Sequence, residues 1–355
     1  MHRRLPRVLS AALALTAIAA LSACSSAPAP APVATSATPS DGLNFVLITP
    51  TAVEPGTFLQ FAVDGVSTAA AKLNASLEIL EPSASVSVQD NIDAAMSENP
   101  SVIIGLTDGV LTEFDYTAAS NLAHQFLLID SAALEPTGNL SAALFRDYEA
   151  DYLAGVEAGV LATGKKSVAV VSPFANPLVQ SQSVPFLTGA ASQDDSLKIG
   201  ITNVGTEEAS TQAEADDAAA AANEAGAKIV QPIGFGPSTT LLAAAASDDF
   251  LTFGHHFDQC AVSSGHVIDS TINRVDVVAE LALQDVLDGT TGLITSYGLA
   301  EGAVSLASLE GDSDCTVTES PEVLAAVATA RDAIIAGDIV VGDPTYADPS
   351  LQPQP

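Results

Sequence analysis

Basic residues, aromatic residues and cysteines are scarce in this chain of 355 residues. It has 11 Lys and Arg against 43 Asp and Glu, a formal charge of -32 at pH 7, 5% aromatic residues, no Trp and 3 Cys. So acidic a surface repels phosphate backbones, which argues against a nucleic-acid partner. It also opposes electrostatic docking on anionic lipid, so attachment to a membrane requires a hydrophobic segment or a covalent lipid.

The sequence also lacks the motifs of common catalytic sites. It contains no G-x-S-x-G, P-loop or H-E-x-x-H motif, and no G-x-G-x-x-G after a predicted strand. The best catalytic candidates are His255, His256 and Asp258, which follow a predicted strand. Adjacent strand-end histidines point in different directions, and no third ligand has a recognisable spacing, so we predict no metal site and no cofactor. We predict that the protein is not an enzyme, with an acidic surface enzyme built on these three residues as the catalytic alternative.

The N-terminus has the order of an export signal. Three arginines form a basic start, residues 9–21 are apolar, and small residues lead into Cys24. The segment Leu-Ser-Ala-Cys resembles the bacterial lipobox, whose cysteine is diacylated and becomes the first mature residue. We therefore predict a lipoprotein signal peptide over residues 1–23. The alternatives are an ordinary signal peptide or an uncleaved anchor, although the apolar run is short for a membrane span.

The residues after the signal predict a tether and a disulfide. Residues 24–42 are rich in Ser, Ala and Pro, which is typical of an extended stalk that buries no core. Removal of the signal leaves eight basic against 43 acidic residues. Cys260 and Cys315 remain as an even pair in an exported chain, which predicts a disulfide rather than a metal or redox site. Residues 346–355 are predicted to be a disordered tail.

Short apolar, β-branched runs alternate with Ala-rich amphipathic stretches through the rest of the chain. The runs that predict buried parallel strands lie near residues 44–49, 77–80, 102–105, 126–130, 167–171, 198–202, 228–230 and 250–254. Such alternation predicts doubly wound α/β sheets. So many strands exceed one compact sheet, so we predict two α/β lobes. Ligands of such sheets bind at the carboxyl ends of the strands, which places the site in the loops that follow them.

Nine segments point to one known family. They are Thr57–Val66, Asn99–Gly105, Phe126–Asp130, Phe145–Gly155, Asn176–Val179, Phe257–Gln259, Arg274–Val277, Asp285–Gly289 and Gly298–Gly302. The most specific reads FRDYEADYLAG, close to FREEEGSYLAG. In this order the segments resemble the basic-membrane-protein (BMP) family of bacterial substrate-binding lipoproteins, whose characterised members bind purine nucleosides for ATP-binding-cassette (ABC) importers.

The resemblance implies a type I periplasmic-binding-protein fold with its ligand in a cleft between two lobes. Lobe 1 is expected over residues 43–145 plus 258–291, and lobe 2 over 146–257 plus 292–345. The chain would therefore recross near residues 258 and 292. Binding is expected to proceed by hinge closure, because the ligand contacts both lobes.

The resemblance also implies ligand contacts, with departures from the family. Phe58 stands where the family has an aromatic platform for the base, but Leu59 replaces an amide that binds the base. His256 replaces an acidic group that could bind ribose hydroxyls, and Asn273 replaces a lysine. Asn176 begins a further matching segment and is predicted to line the cleft.

Three further residues are predicted in the site, each with a structural alternative. Asp258 either binds ligand hydroxyls or caps the following turn. Phe174 and Phe235 lie in predicted cleft loops, where they form an aromatic sandwich for a flat ligand, or else close a hydrophobic lid or pack on the hinge. The segment from Arg146 to Glu149 is expected to form a hinge network rather than to contact the ligand.

These observations predict an extracytoplasmic solute-binding lipoprotein of an ABC importer, anchored to the cell membrane by lipid alone. Its expected partners are a small-molecule ligand and an ABC permease, and we expect a monomer. The acidic surface and the missing lysine at Asn273 favour a neutral or weakly cationic ligand, with nucleosides as candidates. The alternative is a degenerate BMP-like surface lipoprotein that senses or scaffolds and has no transported nutrient.

Overall fold

The computed structural model describes residues 42–342, with gaps at 133–136, 163–166, 173–176, 204–216, 219, 222–223, 225, 234–237 and 312. The predicted signal peptide, Cys24 and the predicted tail therefore lie outside the described residues.

Twelve described strands form two six-stranded sheets. They are β1 Asn44–Ile48, β2 Ser76–Leu80, β3 Val102–Leu106, β4 Phe126–Ile129, β5 Leu140–Phe145, β6 Ser167–Ser172, β7 Lys198–Asn203, β8 Ala227–Pro232, β9 Leu251–Gly254, β10 Val267–Asn273, β11 Ile294–Tyr297 and β12 Val304–Leu306. The first sheet has the order β11-β5-β4-β3-β1-β2, with every pair parallel. The second has the order β12-β10-β9-β8-β6-β7, in which only β12 is antiparallel to its neighbour. The predicted class, two α/β lobes, is confirmed.

Eight helices of the described chain pack on these sheets. They are α1 Phe58–Lys72, α2 Val88–Glu98, α3 Leu111–Ser120, α4 Asp147–Ala162, α5 Pro177–Gln193, α6 Ser238–Asp248, α7 Val275–Leu287 and α8 Pro321–Ile335. Helices α1 and α7 pack together in the lobe of the first sheet. Helix α4 packs against α5 and α8 and over strands β10 and β12, in the lobe of the second sheet.

Helix α1 shows how local sequence sets these elements. The Thr57 hydroxyl accepts a hydrogen bond from the backbone N–H of Gln60 at 3.3 Å, which satisfies one of the free donors at the helix start. Ala62, Val63 and Val66 then fall on one face, and all three are buried. This helical spacing of apolar residues directs α1 onto the core. The first residue of the helix, Phe58, lies beyond the carboxyl end of β1 and is partly buried against the core.

The predicted positions of the second and third crossings are wrong. Strand β10 belongs to the second sheet and β11 to the first, the reverse of the lobes expected for them. The chain therefore crosses near residues 146, 274 and 298, so lobe 1 comprises 42–145 with 275–297, and lobe 2 comprises 146–273 with 298–342. The prediction failed because of β10, whose sequence is VIDSTIN. This strand is fully buried although four of its residues are polar, so its sequence pattern does not predict a buried strand.

The three crossings lie side by side and are hydrogen bonded to one another. The backbone N–H of Arg146 donates to the Tyr297 carbonyl at 2.8 Å, and that of Arg274 donates to the Ala303 carbonyl at 2.8 Å. The N–H of Ala303 in turn donates to the Gly298 carbonyl at 2.8 Å. These bonds join the three connecting segments to one another.

A disulfide fastens the loop after β9 within lobe 2. It joins Cys260 to Cys315, which are 55 residues apart in the sequence and have Cα atoms 4.9 Å apart. Both cysteines are buried. The bridge holds the loop that follows the strand-end histidines against the segment before helix α8.

Glycines allow helices α4 and α5 to pack at close range. A β-carbon added to Gly155 would overlap the carbonyl oxygen of Phe186, and one added to Gly189 would overlap that of Tyr152. The two helix backbones therefore approach more closely than side chains would permit. This contact forms the centre of lobe 2.

We predict that Gly155→Ala destabilises the protein by about 1–3 kcal/mol, because the added methyl group forces the two helices apart. The measurement is urea unfolding, in which the midpoint falls while the slope is unchanged. Gly200→Ala is the matched control, because no atom lies within 4 Å of a β-carbon at that position. An equal midpoint for both variants would contradict the close packing of α4 on α5.

Candidate ligand-binding site

The carboxyl ends of strands from both sheets bring polar side chains together. Asp108 follows β3 and Asp130 follows β4 in lobe 1. In lobe 2, His255 and His256 follow β9, and Asn273 ends β10. We call this group, with Phe58 and with Asp147 and Asp151 of helix α4, the strand-end site. Its position agrees with the rule that open α/β sheets bind ligands beyond the carboxyl ends of their strands.

Aromatic contacts at this site cross from one lobe to the other. The rings of Phe58 in lobe 1 and His256 in lobe 2 have centroids 5.1 Å apart at an interplanar angle of 46°. The ring of His255 stands perpendicular to that of His256 at 4.1 Å, and its Nε2 lies 3.2 Å from Oδ1 of Asp151. The two histidines thus have different partners, so the pair does not present both rings to one metal ion.

Three non-glycine residues at strand ends have left-handed backbone conformations. They are Thr107 with φ 61°, Asp130 with φ 60° and His256 with φ 68°. A β-branched residue such as Thr107 rarely adopts positive φ. Each such residue costs on the order of 1–3 kcal/mol, and such strain concentrates where binding sites are built.

The electrostatics of the site are dominated by carboxyl groups. Burial raises the pKa of Asp130 well above its usual value, and the nearby Asp147 and Asp108 raise it further. Burial likewise raises the pKa of Asp151, and that of Asp147 against the opposing effect of His256. No Lys or Arg of the described chain forms an ion pair with these four aspartates. The site is therefore rich in hydrogen-bond acceptors and lacks a positive charge for an anionic ligand.

The histidines are held in their neutral form. Burial lowers the pKa of His256 to about 3, and a charge on His255 would lower it further, against the effect of Asp147. Burial also lowers the pKa of His255. Neutral imidazoles add apolar ring surface, together with one donor and one acceptor each.

The predicted ligand contacts fall into three groups. Phe58, His256 and Asn273 lie together, and the backbone N–H of Asn273 donates to the His256 carbonyl at 2.9 Å. Asp258 is exposed and caps the following turn by accepting the N–H of Cys260 at 2.9 Å. Phe174, Asn176 and Phe235 lie outside the described residues.

Sequence reasoning missed the aspartates of helix α4. Asp147 and Asp151 are four residues apart, so they lie on one face of the helix, and that helix begins at a strand end. This four-residue spacing is the sequence feature that could have indicated the two aspartates as site residues. Asp147 was expected in a hinge network with Arg146 and Glu149, but its carboxyl instead faces the histidines.

The cluster with metal-ligand spacing does not offer three free ligands. Oxygen and sulfur atoms of Asp258, Cys260 and Cys315 lie within 4.8 Å of one another. The two cysteines are bonded to each other, so neither provides a thiolate.

Comparison with known proteins places the chain among the substrate-binding proteins of ABC transporters. The family model for PnrA-like ABC transporter substrate-binding proteins, Bmp, matches residues 43–329. The ABC transporter nucleoside-binding protein BmpA of Lactococcus lactis subsp. cremoris (strain MG1363) is 25% identical over 270 residues, which cover 71% of this chain and 74% of that protein.

Solved structures share the fold. A solute-binding protein of an ABC transporter system from Aeropyrum pernix K1 matches with a TM-score of 0.65 and 21% identity, over 86% of this chain and 95% of that one. A transcriptional activator of the comK gene from Bacillus halodurans matches with a TM-score of 0.68 and 19% identity, over 85% of this chain and 100% of that one. At such identities the likeness shows the two-lobed solute-binding fold alone. No described helix is both long and apolar enough to cross a membrane.

We predict that protonation of His256 makes stability depend on pH. Its pKa is about 3 in the folded chain and about 6.5 when unfolded, so its stabilising contribution is complete above pH 6.5 and is lost as the pH falls. The free energy of unfolding of the wild type, minus that of His256→Gln, should therefore fall by roughly 1–2 kcal/mol between pH 6.5 and 5. Urea unfolding across this range measures it, with the difference at pH 8 as the reference. A difference that does not change with pH would contradict a buried, neutral His256.

Proposed function

The chain belongs to the Bmp family of PnrA-like ABC transporter substrate-binding proteins, and from this membership we propose that it is a lipid-anchored receptor for a nucleoside or a similar uncharged solute. The ligand lies between the two lobes, and the closed receptor presents it to an ABC permease. The nucleoside class is suggested by the relative BmpA, which is described as nucleoside-binding.

One observation carries the ligand proposal: the strand-end site joins aromatic rings and carboxyl groups from both lobes. The Phe58 and His256 rings offer faces on which a planar base stacks. Asp130 and Asp147 offer oxygens to sugar hydroxyls. Neither forms an ion pair with a Lys or Arg of the described chain, which disfavours phosphate. Leu59 has no amide for the base, so recognition of the base edge differs from that of the family pattern.

The distribution of these site residues over both lobes also supports closure of the lobes on the ligand. Phe58 and Asp130 belong to lobe 1, whereas His256 and Asp147 belong to lobe 2, so a ligand that contacts all four favours the closed form. The three adjacent crossings form the hinge about which the lobes turn. Binding therefore needs no covalent step.

The proposed lipid anchor and the acidic surface of the two lobes support a location of the lobes outside the membrane. A diacylated Cys24 holds the chain at the membrane, and the Ser/Ala/Pro-rich tract that follows gives the lobes reach toward a permease. With eight basic residues against 43 acidic ones after loss of the signal, the lobes are repelled by anionic lipid.

We predict that nucleosides bind the chain that lacks residues 1–23, and that Phe58→Ala weakens binding about 10- to 100-fold through lost ring stacking. Isothermal titration with purine and pyrimidine nucleosides measures the affinity. Nucleoside monophosphates should bind more weakly, because the site has no positive charge for the phosphate. Tyr116→Ala removes an exposed aromatic ring of helix α3, 75% accessible, and should leave the affinity unchanged. No response to any nucleoside would refute this ligand class and favour a sensing or scaffolding role.

We predict that Cys24→Ser moves the protein from the membrane fraction to the soluble fraction of its host, because the variant has no thiol to acylate. Fractionation followed by immunoblotting measures this. Ser26→Ala alters the tether two residues later and should leave the protein membrane-bound. A Cys24→Ser protein that stays with the membrane would contradict the lipid anchor.

A further inference from the structure

A cavity of about 360 Å³ lies beside the crossing at Arg274. Both lobes line it: Phe61 and Asp64 belong to helix α1, and Asp258 and Glu310 belong to lobe 2. Its volume is in the range of small-molecule sites. We call it the hinge cavity.

The hinge cavity is distinct from the strand-end site. Phe58 contacts His256, but Phe61, one turn later on α1, contacts Phe257 with ring centroids 6.1 Å apart and planes inclined by 27°. Phe61 lines the hinge cavity, whereas Phe58 and His256 do not. The ligand proposed above therefore does not account for this space.

The single guanidinium of the lining is already neutralised. Arg274 donates from Nε and Nη2 to the two oxygens of Asp276 at 2.9 and 3.0 Å, and from Nη1 to Glu310 at 2.6 Å. The Arg274 side chain is two-thirds buried, so these bonds are partly shielded from water. Lys72 also lies 3.6 Å from Asp276, but it is paired more closely with Glu280, at 2.9 Å. The Arg274 guanidinium is thus bound by two carboxylates and has no charge to spare for an anion.

Two further carboxylates of the lining are bound by neutral donors alone. Asp64 accepts the side-chain amide of Gln60 at 2.9 Å. Asp258 accepts the backbone N–H of Cys260 and the hydroxyl of Ser313, each at 2.9 Å. Neither forms an ion pair within the described ranges. The hinge cavity therefore has an excess of negative charge.

Apolar surface completes the lining. Ile272 and Ala307 are buried and face the cavity, and the half-buried ring of Phe61 adds an aromatic face. A cation that is held near an aromatic face is stabilised by the ring, and its apolar part gains from leaving water. We propose that the hinge cavity is a second ligand site, which takes a small organic cation with an apolar body, such as an arylalkyl amine.

Three probes of one shape test this proposal on the chain that lacks residues 1–23. They are 2-phenylethylamine, 2-phenylethanol and phenylacetate, measured by isothermal titration. We expect the amine to bind with one site per chain, the alcohol to bind at least about threefold more weakly, and the anion not to bind. Equal affinity for amine and alcohol, or no binding of the amine at millimolar concentration, would overturn the proposal.

Matched variants locate the amine. Asp64→Asn and Asp258→Asn each remove one lining charge and should weaken amine binding about threefold to tenfold. Asp195→Asn removes an equal charge from an exposed turn outside the cavity and should change nothing. His256→Ala should also leave amine binding intact. Loss of binding in His256→Ala with full binding in Asp64→Asn would place the amine at the strand-end site and overturn the proposal. None of these results depends on nucleoside binding.

Discussion

The buried guanidinium of Arg146 organises the point at which the chain first leaves the first sheet. Its Nε and Nη2 bind Glu149 and Glu301, each at 2.7 Å, and its Nη1 donates to the Ser296 carbonyl at 3.0 Å. A buried charge is tolerated only when its donors are paired in this way. Gly298 is part of the arrangement, since a β-carbon there would overlap both Arg146 and Glu149. The first and third crossings are thereby held together at the end of the sheet.

This ion-pair network also determines the character of the strand-end site. Because the Arg146 side chain is turned toward Glu149 and Glu301, its charge is not offered to the neighbouring Asp147, whose carboxyl faces the histidines instead. Arg146 thus binds within the crossings, whereas the carboxyl of the next residue, Asp147, belongs to the strand-end site. The site consequently combines carboxyl oxygens with neutral imidazole and phenyl rings, which suits a ligand that has hydroxyl donors and a flat apolar part.

The sequence predicts the fold where apolar runs are continuous. It predicts the site only for those residues that directly follow a predicted strand. Strands such as β3 and β6 are wholly or almost wholly apolar, so their burial is encoded locally. Strand β10 is different, because its buried Asp269 accepts hydrogen bonds from the neighbouring Ser270 N–H at 2.7 Å and from the distant Ser308 N–H at 3.1 Å. Its membership of the second sheet, and hence the crossings, depends on tertiary contacts that no local pattern shows. Asp258 instead accepts hydrogen bonds from the Cys260 N–H and the Ser313 hydroxyl, and the latter is a distant partner that sequence spacing does not reveal.

The acidity of the chain has two components with different consequences. Exposed carboxylates repel anionic lipid and phosphate, whereas burial raises the pKa of Asp130, Asp151 and Glu157 well above the usual range. These buried groups hold their protons to higher pH than surface carboxyls do. A protonated carboxyl is also a hydrogen-bond donor, unlike a carboxylate. Of these groups, Asp130 and Asp151 belong to the strand-end site, where Asp147 and Asp108 raise the pKa of Asp130 further.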